Sequence, residues 1–422
     1  MDIEGFEEIF GKAQWPEEPF AAHAFIADVQ RVGDRFMLML ELLSSDGKSV
    51  SPALFLADRD QVRAVLDDAE PERLEGQWRT FQLVRGLGDA PSVSILASLA
   101  DPEGVVYGIQ SVKTTPPAVV SAHSKPAGSA ASTQDIKRFL SKAVPDRNMR
   151  LGVFDVGQGA AAFLYPAGDR LCIKPTLYLD IGGGCGYNAK TFPAGGVQWC
   201  FTTKPGILLS HWHWDHWAGA TYGGASNIAG PRAATWLVPS TPPGPLGKKL
   251  AAAISAAGGK VIHWPAGTPP ITAHRLLVGE ATGTGWNNSG LVLLAELESG
   301  RFSLAPGDAA YTFLPPELKL SRLKTLLISH HGGNLDANPP AALPLPDGGP
   351  NCHAYCSVGD KNTYGHPTIF ACYITAGWHV VRTDARPIHA KAIHYDAETG
   401  GLVGGKVSPC CSGHGCSLAL ST

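Results

Sequence analysis

The sequence predicts an α/β (α+β) protein, an αββα sandwich preceded by a small β-rich domain. Three observations carry this. Residues 21–112 read as short apolar strands interrupted by one helix. Between Thr114 and Ser132 the composition shifts to Pro, Ala, Ser and Gly, which marks an interdomain linker. Across residues 150–400 apolar strands alternate with loops and a few helices, the pattern of two sheets packed face to face with helices outside. The expected units are residues 1–113, a linker with a short basic helix at 114–148, and a larger domain at 149–422.

Taken in order, residues 1–20 are acidic and proline-containing, with Phe6, Ile9 and Phe10 on a short helix. Residues 24–29 and 36–43 are apolar runs separated by Arg31-Val32-Gly33-Asp34, a hairpin turn. Residues 50–56 add a third strand. Residues 58–70 read as a helix, with Asp58 as its cap and Val62, Val65 and Leu66 on one face. Residues 77–84 and 93–96 return to strand. Three strands, a helix and two strands is the order of an OB-type barrel. Residues 133–143 have helical spacing, and Lys137, Arg138, Lys142, Arg147 and Arg150 make a basic lead-in whose plainest role is a solvated face. Residues 245–257, with Lys248 and Lys249, form a helix of the larger domain.

Bulk properties narrow the class. A chain of 422 residues that is 44% hydrophobic and 17% charged is globular and too long for one ordinary domain. No apolar run approaches the roughly 18 residues needed to span a bilayer, and the acidic start is unlike a secretory signal. The expectation is a cytoplasmic protein with no membrane partner. Nine cysteines, an odd number, suit a reducing compartment. Cys172, Cys185, Cys200 and Cys372 read as small core residues. In the tail, Cys410, Cys411, His414 and Cys416 offer zinc donors, with Cys352 and Cys356 in reserve, but lack paired spacing. Charge divides the chain: residues 1–113 hold 10 Lys+Arg against 20 Asp+Glu, and the remainder 24 against 17. An acidic module repels phosphate polymers, so the first domain is expected to face a protein partner and to supply no catalytic group.

One stretch dominates the chemistry. Directly after the apolar run Ile207-Leu208-Leu209 come His211, His213, Asp215 and His216, four metal-ligand side chains within six residues. His211 and His213, two apart, can reach one cation, while Asp215 and His216 can serve a second. Imidazole with carboxylate suits zinc, or manganese and iron where oxygen ligands are more numerous.

Further motifs follow a fixed order: Leu151 to Gly159 ending in Asp155-Val156-Gly157-Gln158-Gly159, Leu177 to Gly184 with Asp180, Trp286-Asn287-Asn288-Ser289, Gly307-Asp308, Ser329-His330-His331-Gly332-Gly333, Lys361-Asn362-Thr363-Tyr364-Gly365-His366, and Arg382-Thr383-Asp384. Together with the histidine stretch, this series resembles the metallo-β-lactamase superfamily, and within it the soluble domain of ComEC-type competence proteins, over residues from about 150 to about 385. The resemblance implies two divalent ions and phosphodiester hydrolysis. It implies that Asp308 bridges the ions and that one of His330 and His331 joins Asp215 and His216. A third protein ligand for the first ion is not evident, since His263 and His274 lack the expected surroundings. Asp155 and Asp180 would support the ligands or cap their strands. Two departures stand out: Ala160 replaces the acidic residue of that branch's G-Q-G-D, and His213 stands where it often has Asp.

Lys361 and His366 are the catalytic candidates outside the ligand shell, Lys361 to neutralise a phosphate and His366 to protonate the leaving oxygen. Asp215 is the catalytic carboxylate. Trp212, Trp214 and Trp217 would wall the pocket or stack on a base. DNA or RNA is the expected substrate. A cyclic or other small signalling nucleotide is the alternative, and a binding or scaffold protein with a degenerate site is the reading from another class.

Overall fold

A computed structural model describes residues 4–12, 14–68, 70–86, 88, 90–124, 130–144, 148–167, 173–194, 196–197, 199–223, 225–298, 300–319, 323–333, 342–349, 351–385, 394–396 and 402–403. Cys172, Arg147 and the Cys410, Cys411, His414 and Cys416 tail lie outside them. Among the described residues no helix is long and apolar enough to cross a membrane.

After α1 (Glu4–Phe10), the chain builds β1 (Phe20–Val32), β2 (Arg35–Ser44), β3 (Val50–Asp58), α2 (Arg59–Leu66), β4 (Trp78–Arg85), β5 (Ser92–Ile95) and β6 (Val105–Thr114). The six strands close into a barrel in the order β1-β2-β3-β5-β6-β4. The expected helix is present and reciprocally capped: Gln61 N donates to Asp58 Oδ1 at 2.8 Å and Asp58 N to Gln61 Oε1 at 3.0 Å. It stops at Asp67, in the left-handed region at φ 54°. The sixth strand was not expected. Val105 and Val106 are exposed and the second half of β6 is polar, so its apolar periodicity is weak, yet pairing with β4 and β5 closes the barrel.

The linker contains α3 (Pro117–His123) and is followed by α4 (Thr133–Ala143), capped by Ser132 and Asp135. Next come β7 (Met149–Phe154), β8 (Ala161–Pro166), β9 (Leu177–Ile181), β10 (Gly206–Leu208), α5 (Ala225–Ala233), β11 (Thr235–Val238), α6 (Pro245–Ala256), β12 (Lys260–His263), β13 (Ile271–Ala273), β14 (Leu276–Glu280), α7 (Gly285–Asn288), β15 (Leu291–Glu296), β16 (Phe302–Ala305), β17 (Leu323–Leu327), β18 (His353–Cys356), α8 (Phe370–Thr375), β19 (His379–Arg382), β20 (His394–Asp396) and β21 (Leu402–Val403). One sheet runs β12-β11-β10-β9-β8-β7-β20-β21, the other β13-β14-β15-β16-β17-β18-β19. Leu151, Leu164, Leu179, Leu208 and Leu237 of the first sheet share a buried cluster with Val278, Leu291, Leu293 and Ala295 of the second. Each such leucine or valine contributes about 1.5–3 kcal/mol when fully buried, so this shared layer holds the two sheets in register.

The barrel is not a detached module. Phe25, Met37, Met39, Leu54 and Trp78 belong to the same buried cluster as Trp212, Trp214, Trp217 and Leu246. Part of its excess of carboxylates is turned inward, with Asp28 and Glu41 buried.

Candidate metal centre

Parallel strands deliver the candidate ligands to one edge. β9 and β10 pair in parallel, as do β16, β17 and β18, so the loops leaving their C-terminal ends meet. His211, His213, Asp215 and His216 follow β10, Asp308 follows β16, and His330 and His331 follow β17. Backbone close approach shapes the first loop. A Cβ at Gly182 would lie 1.8 Å from the Asp215 carbonyl oxygen, which instead accepts from Gly183 N at 3.1 Å and Ala160 N at 3.0 Å. In the second loop His330 and His331 both adopt positive φ, 51° and 53°, costly for non-glycine residues. That turn sends the two rings to different partners.

The cluster is buried and its donors converge. His216 Nε2 is 3.2 Å from Asp308 Oδ1, and His211 Nε2 is 3.7 Å from Asp308 Oδ2. His331 Nε2 is 3.1 Å from Asp215 Oδ2 and 3.8 Å from Asp308 Oδ1. His330 Nε2 lies 3.9 Å from Asp308 Oδ2 and 3.3 Å from Gln30 Nε2 of the barrel. Two triads that share His216 result, His211–His216–Asp308 and Asp215–His216–His331, and a third group of converging donors, Asp28–Glu75–His213, lies toward the barrel. Asp308 therefore turns one oxygen to each side, and His331 rather than His330 stands with Asp215 and His216.

The imidazole tautomers fit metal binding. His216 Nδ1 donates to Asp180 Oδ2 at 2.8 Å, and His331 Nδ1 to the Ser357 carbonyl at 2.7 Å. Ser210 Oγ donates to Asp180 Oδ2 at 2.8 Å and accepts from His211 Nδ1 at 3.1 Å. Each proton on Nδ1 leaves a lone pair on Nε2 facing the cluster. His216 Nε2 and His331 Nε2 have no hydrogen-bond partner among the described residues. Buried polar atoms without partners are costly, and a divalent cation between them and the carboxylates would satisfy both.

Charge in the cluster agrees. Burial opposes ionisation of Asp308, but His216, His331 and His330 outweigh it and hold the carboxyl well below its usual range. Burial also disfavours a proton on His216, yet Asp308, Asp180 and Asp215 push it well above the usual imidazole value. Without metal the carboxylates and imidazoles share protons, which a cation would displace.

Other expected residues fall at varying distances. Asp180 supports the ligands directly, holding Ser210 N at 2.6 Å as well as His216. Asp155 is fully buried and accepts from Gly157 N at 3.1 Å, which shapes the turn after β7. His366 lines the cleft, with its ring 5.4 Å from His330 and its Nδ1 accepting from Gln158 Nε2 at 3.2 Å. Burial, then His330 and His331, pull it down to about 3. The ring is thereby kept neutral, and a neutral imidazole still carries one N–H to donate. Lys361 is exposed, on a turn residue at φ 52°, and is not among the residues lining the cleft. His263 is buried in β12 against the Pro239 carbonyl and His274 is exposed, and neither joins the triads. Trp212, Trp214 and Trp217 are buried, hence packing residues and no platform for a base.

The barrel supplies what the sequence reading missed. His213 Nε2 lies 3.7 Å from Asp28 Oδ1 and 3.9 Å from Glu75 Oε1, and Trp214 Nε1 donates to Glu41 Oε1 at 2.9 Å. A signal existed: Asp28 and Glu41 are single carboxylates inside apolar strands. A cleft of about 700 Å³ lies between barrel and cluster, lined by Gln30, Arg31, Glu75, Asn288, His330 and His366. No family model matches the chain, and no curated protein does.

Proposed function

We propose that the chain is a dinuclear metal-dependent hydrolase of phosphodiesters, a nuclease on DNA or RNA acting in the cytoplasm. It would have the metallo-β-lactamase sandwich and, ahead of it, an OB-type barrel carrying one additional strand. The observation that carries this reading is the Asp308 carboxylate, with an oxygen toward each of two buried triads that share His216. Two divalent ions, zinc before manganese or iron, would activate a water and neutralise charge at phosphorus.

The chain's own residues account for the rest. His211 and Asp308 would serve one ion and Asp215 and His331 the other, with the single free Nε2 of His216 able to join one of the two sets. Asp180, Ser210 and the Ser357 carbonyl hold the rings in the tautomer with a free Nε2. Arg31, at the mouth of the cleft, takes the anion-pairing role expected of Lys361. The neutral His366 orients a phosphoryl oxygen by hydrogen bonding.

A second reading, hydrolysis of a cyclic or small signalling nucleotide, is favoured by the barrel that walls the cleft. Metal-loaded protein incubated with plasmid, single-stranded DNA, RNA and cyclic dinucleotides separates the two. A polymer bound through several phosphates should lose affinity steeply with salt as counterions are released. A flat salt dependence with cleavage of the cyclic dinucleotide supports the small substrate. Absence of metal uptake would leave the scaffold alternative.

A further inference from the structure

His213 stands apart from both triads and faces the barrel. Its Nδ1 is 3.0 Å from His211 Nε2. Two ligand bonds of about 2.0–2.1 Å at a tetrahedral angle to one zinc place their nitrogens roughly 3.3 Å apart, so a shift of a few tenths of an ångström would let this pair share an ion. Its Nε2 is buried, has no hydrogen-bond partner among the described residues, and points between Asp28 Oδ1 and Glu75 Oε1.

A neutral imidazole has one donor and one acceptor nitrogen. If Nδ1 ligates with His211, the proton sits on Nε2, where two carboxylates wait for it. If a cation instead bound Nε2 with Asp28 and Glu75, the proton would move to Nδ1 and His213 would leave the His211 ion. The two arrangements exclude each other. The 3.0 Å separation favours the first, and it supplies the support that ligating histidines usually receive from a carboxylate.

Both carboxylates are held in advance. Gln30 Nε2 donates to the two Asp28 oxygens at 3.1 and 2.9 Å, and Val29 N donates to Oδ1 at 2.7 Å. Glu75 Oε1 accepts from Trp286 N. The neighbouring Trp214 is tied to the barrel through Glu41, whose other oxygen accepts from Leu246 N at 2.8 Å. The loop after β10 is thus held from the barrel at two successive residues.

We propose that Asp28 and Glu75 are positioning residues for the ligand His213, which makes the N-terminal barrel a working part of the metal centre. This rests on the reading of the cluster as a metal site, though not on the identity of the substrate.

The test uses the full chain with Asp28→Asn, Glu75→Gln and the double variant. Zinc is titrated against a competing chelator, cobalt spectra are recorded on the substituted proteins, and hydrolysis of bis(p-nitrophenyl) phosphate is followed. The double variant is expected to bind one of two ions about 10–100-fold more weakly. Its cobalt spectrum should change, and kcat should fall with little change in KM and recover in excess metal. Each single variant should show a smaller loss in the same direction, so the test survives if the double variant fails to fold. Wild-type affinity and spectrum in folded variants overturn the proposal. So does a third ion in the wild type that the variants lose, because the carboxylates would then be ligands themselves. A wild-type protein that takes up no metal overturns the underlying metal reading, an outcome distinct from both.

Discussion

Asp180→Asn probes the proposed metal centre with the smallest change of shape. Asp180 has φ 57°, a conformation that asparagine also tolerates, so the backbone should persist. The carboxylate accepts from Ser210 N, Ser210 Oγ and His216 Nδ1 at 2.6, 2.8 and 2.8 Å. A carboxamide keeps one oxygen for Ser210 N and turns its NH2 toward His216. That donor needs an unprotonated Nδ1, so the His216 proton moves to Nε2 and occupies the lone pair facing Asp308 at 3.2 Å. A hydrogen bond to a charged acceptor contributes about 1.5–3 kcal/mol, and loss of a carboxylate behind a ligating histidine costs about 10–100-fold in metal affinity. The two figures agree, since each 1.4 kcal/mol or so is tenfold. His216 keeps a single free Nε2 and can ligate one ion, so one of the two ions should weaken. Chelator competition gives the affinity and a parallel melt checks the fold. An affinity within about twofold of wild type, at an unchanged Tm, would refute the tautomer argument.

The remaining predictions address other parts of the site. Asp308→Ala should lower bound metal from near two ions per chain and abolish turnover, read by elemental analysis and phosphodiester cleavage. His366→Ala should keep the metal and slow cleavage about tenfold, the worth of one hydrogen bond, whereas Lys361→Ala, on the surface, should shift stability by less than about 0.5 kcal/mol and leave the rate unchanged. In metal-free protein His366 is pulled down to about 3, so its contribution to stability is full above the ordinary imidazole value and lost as pH falls toward 3; the Tm advantage over His366→Ala should shrink on acidification. Burial pushes Glu41 up to about 7, so its contribution is full below the ordinary carboxyl value and lost as pH rises through 7. Melts of wild type and Glu41→Gln across that window should converge or cross as pH rises.

What the sequence determined alone was local. Four potential ligand side chains within six residues behind an apolar strand mark a candidate metal site wherever that strand lies, because their spacing lets them converge. The Asp58 cap, helical apolar spacing and short apolar runs likewise place α2, α4 and most barrel strands, since those signals involve neighbours in the chain. Only the tertiary structure chose His331 over His330, because consecutive left-handed turns aim adjacent rings apart. It also turned Lys361 outward and brought Asp28, Glu41 and Glu75 to the loop of His213 and Trp214, pairs such as Glu41 and Trp214 being 173 positions apart. No spacing rule reaches that far. The side of the barrel that meets the cluster is set by the apolar surface that Phe25, Met39 and Trp78 bury with Trp212 and Trp217, and the carboxylates arrive with it.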